Sequence, residues 1–235
     1  MGSADAVGDT ASVAVSTVAG RLYAIIGYIS SGSGGSYGGI TLTTDGPSVT
    51  AICGGPNFNQ LSPTIWVGTF VGTGSTVTAT ATGSTPFGTP VYVVSAVSVI
   101  EAAGASGTNR YALNTSDGNT YAWTTQIDSG TPLPGGNLGL AAIALTRYEA
   151  PTSIGPSNGE TELLDGYKVH PTADGYNYLA GNNLTYQAEY TPNDSGEWAF
   201  VGDDYGESQF ILEFVNAPDA PAQPLWSYRS TILRR

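Results

Sequence analysis

Between Leu22 and Ile100 the chain carries one charged residue, Asp45, and from Gly46 to Ile100 it carries none. A membrane-spanning helix would explain such a stretch only if about 20 consecutive residues were apolar. Here Thr, Ser and Gly interrupt every apolar run within a few positions. The clearest pattern is "STVTATATG", in which Thr76, Thr78, Thr80 and Thr82 alternate with Val77, Ala79 and Ala81. Alternation of period two places the threonines on one face of a strand and the apolar residues on the other. The solvent face of that strand is therefore built from Thr instead of Lys and Glu.

The same grammar extends along the chain. Thirty-two Gly and fourteen Pro, with abundant Thr, Val and Tyr, predict short strands broken by tight turns. Strands are expected at "GRLYAIIGYIS", "ITLTT", "SVTAICG", "PTIWVGTFVGT" and "STVTATATG", the last two joined as a hairpin through Gly72-Thr73-Gly74. "TPVYVVSAVSVIE" is nearly continuous in apolar residues, as expected of a central strand buried on both faces. "RYALNT" and "TYAWTTQID" flank "SDGN" as a second hairpin would. "NLGLAAIALTR" fits a short helix or a buried strand, and "PLPGG" before it together with its β neighbours favours the strand. Further strands follow at "ELLDGYKV", "LTYQAEY", "EWAFVG" and "SQFILEFVN".

Around fourteen strands, no amphipathic helix and no internal repeat of fixed period predict an all-β, antiparallel two-sheet sandwich of jelly-roll type with a C-terminal extension. Three segments are expected: an N-terminal arm at 1–19, one sandwich domain at 20–216, and a tail at 217–235. The tail opens with the Pro-Ala linker "APDAPAQP" and ends in the basic "LWSYRSTILRR". A tail of opposite sign to its own domain suits docking, so Trp226, Arg229, Arg234 and Arg235 are the candidate assembly anchor; a last strand returning to the sandwich is the alternative. Both "MGSADAVGDT" and "STILRR" are expected to be held by neighbouring subunits.

Charge and cysteine content exclude several functions. With 19 acidic and 7 basic residues the net charge is −12, which nucleic acid repels, and no polybasic membrane patch is present. No signal-peptide pattern is found, so synthesis in the cytoplasm without an export signal is expected, with no membrane insertion. One cysteine, Cys53, rules out an internal disulfide framework and a multi-cysteine zinc site, and is expected as a small buried hydrophobe.

Catalytic options are few. His170 is the only histidine. The G-x-S-x-G match at Gly34–Gly38 lies in a glycine loop between strands, without the following helix that a nucleophile elbow needs. Glu101 and Glu213, at or inside apolar strands, are the two carboxylates that could serve glycoside hydrolysis; an outward position or pairing with one of the scarce arginines is the simpler expectation. Asp203, Asp204 and Glu207 form an acidic loop that could take Ca2+, while no other cofactor is expected. Asn114 and Asn183 begin glycosylation sequons that matter only in a secreted eukaryotic protein. Aromatic and polar residues also crowd between 167 and 205. Of these, Tyr176, Tyr178, Trp198, Asp203, Asp204 and Tyr205 are the candidate glycan-binding set, with burial in the core or between subunits as the competing role.

The succession "GRLYAIIGYIS", "PTIWVGTF", "STVTATATG" and "PVYVVSAVSVIE", followed by "LGLAAIALTR" and "QFILEFVN", resembles the jelly-roll modules of accessory virion proteins of tailed bacteriophages and phage-like particles. The resemblance spans roughly 20–216 and rests on strand pattern. It implies a non-enzymatic structural protein: a head decoration, collar or head-spike subunit on the particle surface, packed against copies of itself and other particle proteins. The alternative is a carbohydrate-binding module or adhesin that recognises host polysaccharide. Charge-free Thr, Ser and Gly faces suit both, because contact there desolvates no ion.

Overall fold

A computed structural model describes residues 1–32, 35–55, 64–89, 91–116, 122–126, 138–147, 153–156, 161–171, 177–187, 195–201 and 206–216. The described residues are strands and turns without a helix, so none forms an apolar helix long enough to cross a membrane. In chain order the first eight strands are β1 (Gly2–Val7), β2 (Thr10–Ser16), β3 (Leu22–Gly32), β4 (Gly35–Thr44), β5 (Thr50–Gly55), β6 (Thr64–Val71), β7 (Thr76–Gly88) and β8 (Val91–Glu101). The next eight are β9 (Ala105–Ser116), β10 (Ala122–Gln126), β11 (Leu138–Arg147), β12 (Ser153–Pro156), β13 (Thr161–Pro171), β14 (Asn177–Gln187), β15 (Ser195–Val201) and β16 (Gly206–Asn216).

These strands pair antiparallel into an all-β sandwich built from four sheets. Sheet A has the order β1-β8-β3-β6-β5, and sheet B has β2-β7-β4. Sheet C, read from its β9 edge, runs β9-β16-β11-β14-β13, and sheet D runs β10-β15-β12. Adding eight to each strand of A gives C, and adding eight to each strand of B gives D. Within each pair of sheets the order resembles a jelly roll, except that β5 lies beside β6 in sheet A, and β13 beside β14 in sheet C, and not in the smaller sheet; the same topology thus occurs twice. The repeat leaves a short trace in sequence. Gly20-Arg21-Leu22 leads into β3 as Gly136-Asn137-Leu138 leads into β11, and Ile100-Glu101 answers Leu212-Glu213. The registers agree with that alignment: Tyr23, next after Leu22, pairs with Glu101, and Gly139, next after Leu138, pairs with Glu213.

Sheet A has two buried faces. Tyr23, Ile25, Ile29, Phe70, Val97 and Val99 pack with Ala11, Val15, Ile40, Val77, Ala79 and Ala81 of sheet B. On the opposite face Ala24, Ile26, Tyr28, Ile65, Val67, Ala96 and Ile100 pack with Leu212 and Phe214 of sheet C. Each fully buried isoleucine contributes about 1.5–3 kcal/mol by leaving water. Double burial explains the apolar runs: residues 94–100 of β8 are all buried, as expected of a central strand. Between sheets A and C, β1 lies on β13, β5 on β9, β8 on β14, β6 on β16 and β3 on β11.

Several expectations are corrected. Residues 1–19 are not an arm, since they supply β1 and β2, and Gly2–Val7 pairs with β8 of its own chain. The two strands joined through Gly72-Thr73-Gly74 do not pair with each other: β6 lies in sheet A and β7 in sheet B. A hairpin would carry the threonine face of β7 into the central layer, and burying those hydroxyls without partners is costly. The loop instead crosses between sheets beside the 17–21 turn. Gly72 N–H donates to the Arg21 carbonyl (2.8 Å), Gly20 N–H to the Gly72 carbonyl (2.9 Å) and Thr17 N–H to the Ser75 carbonyl (3.0 Å). The Thr17 hydroxyl accepts from Thr73 N–H (3.1 Å) and donates to the Ser75 carbonyl (2.8 Å). Likewise β9 and β10 are not a hairpin, since they belong to sheets C and D. "NLGLAAIALTR" does form a strand, β11, central in sheet C.

Candidate functional site

The outer face of sheet B is the most regular feature of the described surface. Strand β7 alternates as its sequence predicts, with Val77, Ala79 and Ala81 buried and Thr76, Thr78, Thr80 and Thr82 turned outward. Register with its neighbours extends the pattern into rows. Thr10, Thr82 and Thr41 form one row, and Ser12, Thr80 and Thr43 the next. Ala14 then lies beside Thr78, and Ser16 beside Thr76. Neighbouring strands are about 4.8 Å apart and alternate residues along a strand about 6.8 Å, so hydroxyls and methyls form a shallow lattice. The hydroxyls bond to one another across strands: Thr10 Oγ1 to Thr82 Oγ1 at 3.3 Å, and Ser12 Oγ to Thr80 Oγ1 at 2.8 Å.

Among the described residues of sheet B and its turns, charges stand only at the ends of this lattice. Asp9 accepts from the Thr10 hydroxyl at 3.2 Å. At the other end Asp45 accepts from Thr78 N–H at 2.8 Å, while its own N–H donates to the Thr78 carbonyl at 3.1 Å. The bond from Thr78 N–H holds the Asp45 carboxyl below its ordinary value. Ion desolvation, the main electrostatic cost of covering a polar surface, is thereby kept off the rows.

The two glutamates singled out in the sequence occupy equivalent positions in the repeated topology. Glu101 ends β8 and forms an ion pair with Arg21, and the Tyr23 hydroxyl donates to its second oxygen at 3.2 Å. Pairing with a scarce arginine was the simpler expectation for it, and Arg21 in turn is held above its ordinary value, first by the hydrogen bond it donates to Glu101 and then by the carboxylate charge. Glu213 is fully buried in β16 between the core residues Leu212 and Phe214, and it has interaction partners of its own. At the positions answering Arg21 and Tyr23 stand Asn137 and Gly139, which cannot reproduce the Glu101 cluster.

Other candidates are placed by backbone alone. Tyr178 lies opposite His170 in sheet C, whereas Trp198 lies opposite Trp123 and Pro156 in sheet D, so these two members of the glycan set belong to different sheets. Tyr176, Asp203, Asp204 and Tyr205 fall outside the described residues, and so do Trp226, Arg229, Arg234 and Arg235. Of the acidic loop only Glu207 is on a described strand, β16. Among the described residues no three metal-ligating side chains converge. Cys53 lies on β5 beside a register shift, its side chain outside the described set. Gly35–Gly38 of the G-x-S-x-G match are in strand β4.

Sequence reasoning found the β7 threonines and missed their partners Thr10, Ser12, Thr41 and Thr43. The available signal was the same alternation in "TASVAVS" and "ITLTT". No protein-family model, curated protein or solved structure matches the chain.

Proposed function

We propose that the protein is a non-enzymatic structural subunit that works by protein–protein packing, as a head decoration, collar or spike of a phage or phage-like particle. The observation that carries this proposal is the uncharged hydroxyl lattice on the outer face of sheet B, which another protein surface can cover without desolvating an ion. Two further features support it. Apart from the position of β5, the strand order resembles that of jelly rolls, a fold common in viral capsid proteins. The chain also stacks one jelly-roll sheet on another internally, so sheet-to-sheet packing is already part of its architecture. Fold alone does not assign function, and the virion assignment rests on the sequence resemblance.

The test is a charge placed in the lattice. Thr80→Lys is expected to keep the β-sheet circular-dichroism spectrum, since its side chain is partly exposed. It should also weaken assembly by about tenfold or more, equivalent to roughly 1.4 kcal/mol. Unchanged assembly in a folded Thr80→Lys protein would remove the lattice from the interface.

A further inference from the structure

One edge of sheet B lacks the devices that keep strand edges from pairing. Edges of water-soluble sheets are normally blunted by charged side chains, proline or bulges. Of the other edges described in sheets A and B, β1 carries Asp5 and β5 has a register shift between Ala51 and Cys53, whereas β4, like β2, meets an aspartate only beyond its end, Asp45 after β4 and Asp9 before β2. Strand β2, "TASVAVS", has no charge, no proline and no bulge, and among the described strands it pairs only with β7.

The backbone groups free at that edge can be identified. Thr17 N–H donates to the Ser75 carbonyl and Gly83 N–H to the Asp9 carbonyl, so the odd-numbered residues of this ladder face β7. In an antiparallel ladder the intervening residues direct N–H and C=O the other way. Thr10, Ser12, Ala14 and Ser16 therefore present their main-chain donors and acceptors to the open edge, and their side chains are exposed.

We propose that this edge pairs with β2 of a second copy of the chain, antiparallel about Val13, joining the two B sheets into one across a two-fold axis. The proposal rests on the packing function above and names its partner and geometry. The strand is complementary to itself in this register. Thr10 meets Ser16 of the second copy and Ser12 meets Ala14, each pair with outward side chains and edge-facing amides, giving about eight main-chain hydrogen bonds. Ala11 meets Val15 and Val13 meets Val13 on the inner face. Asp9 falls opposite Thr17, so no like charges are opposed.

Light scattering on the full chain tests the idea through three variants. Ala14→Pro removes one outward N–H while leaving the bonds to β7 intact, as edge strands tolerate. It should return the folded protein from a dimer or higher assembly of even number towards half the mass. Val13→Cys places two thiols at a non-hydrogen-bonded pair with Cα atoms about 4.5 Å apart, close enough for a disulfide. Oxidation should link two chains, whereas wild type, with Cys53 alone, should give no such band. Ala14→Pro that keeps the wild-type mass overturns edge pairing. If Thr80→Lys dissociates the same assembly, face packing stands without it. A wild-type mass that stays monomeric overturns both. Should Ala14→Pro not fold, the Val13→Cys cross-link decides: a linked dimer supports the edge, and its absence overturns it.

Discussion

Tyr28 shows how far this fold places packing above polar satisfaction. Its ring is fully buried between sheets A and C, and its hydroxyl and that of Ser98 lie close in the same layer without good hydrogen-bond geometry. Burial raises the Tyr28 phenol far above its ordinary value, and burial also raises Tyr23 and Tyr37. The folded protein therefore holds these protons more tightly than the unfolded chain does. The stability they supply is complete below about pH 10 and declines as pH rises beyond it. Thermal unfolding followed from pH 8 to 12 should show that decline, and Tyr28→Phe should flatten it. At neutral pH Tyr28→Phe is expected to be neutral or to stabilise by up to about 1 kcal/mol, because it removes a buried hydroxyl with poor partners. A loss of more than that would mean that the hydroxyl is well bonded. Arg21→Ala should cost less than about 1 kcal/mol, since the guanidinium is half exposed (53 %) and screened by water. The burial of Tyr28 on the face towards sheet C depends on a partner more than a hundred positions away, so nothing local in "AIIGYIS" foretold it.

At the scale of strands, alternation was the legible signal and pairing was not. β7 was readable because one face meets water and the other the core, which writes period two into the sequence. β8 was readable as central because both its faces are buried. The loop 72–75 misled because its Gly-Thr-Gly has hairpin chemistry, with Gly74 at φ 85°, while its hydrogen bonds go to the 17–21 turn. Two strands with different burial demands belong in different layers, and that requirement outweighed the turn. Thr17 links the two crossings, so Thr17→Val should leave the Thr73 amide without its acceptor and cost about 1–3 kcal/mol in urea unfolding. A cost near zero would show that the crossings hold without it. Close approach of sheets A and B is equally specific at Gly27. A Cβ there would meet Leu42 Cδ2 at 2.7 Å and Ala81 Cβ at 2.9 Å, so Gly27→Ala should destabilise by about 1–3 kcal/mol.

For the whole molecule, the repeated strand order is the feature least visible in sequence. Only Gly-x-Leu before β3 and β11, and Ile-Glu or Leu-Glu near the ends of β8 and β16, remain as local echoes. Strand order is set by which faces must be buried, and many sequences meet the same demand, so topology persists where residue identity does not. Acidic residues give the chain its net −12, and among the described residues of sheet B the acidic groups, Asp9 and Asp45, stand only at the ends of the Ser/Thr rows. Repulsion between copies is thus kept away from the face offered for contact. The proposed packing function requires that another protein surface cover this face. It is tested most directly by the mass of the full chain in solution, measured by light scattering as concentration rises. A defined oligomer, dispersed by Thr80→Lys, is the predicted result. A single species at the monomer mass of 24.1 kDa at every concentration would contradict it.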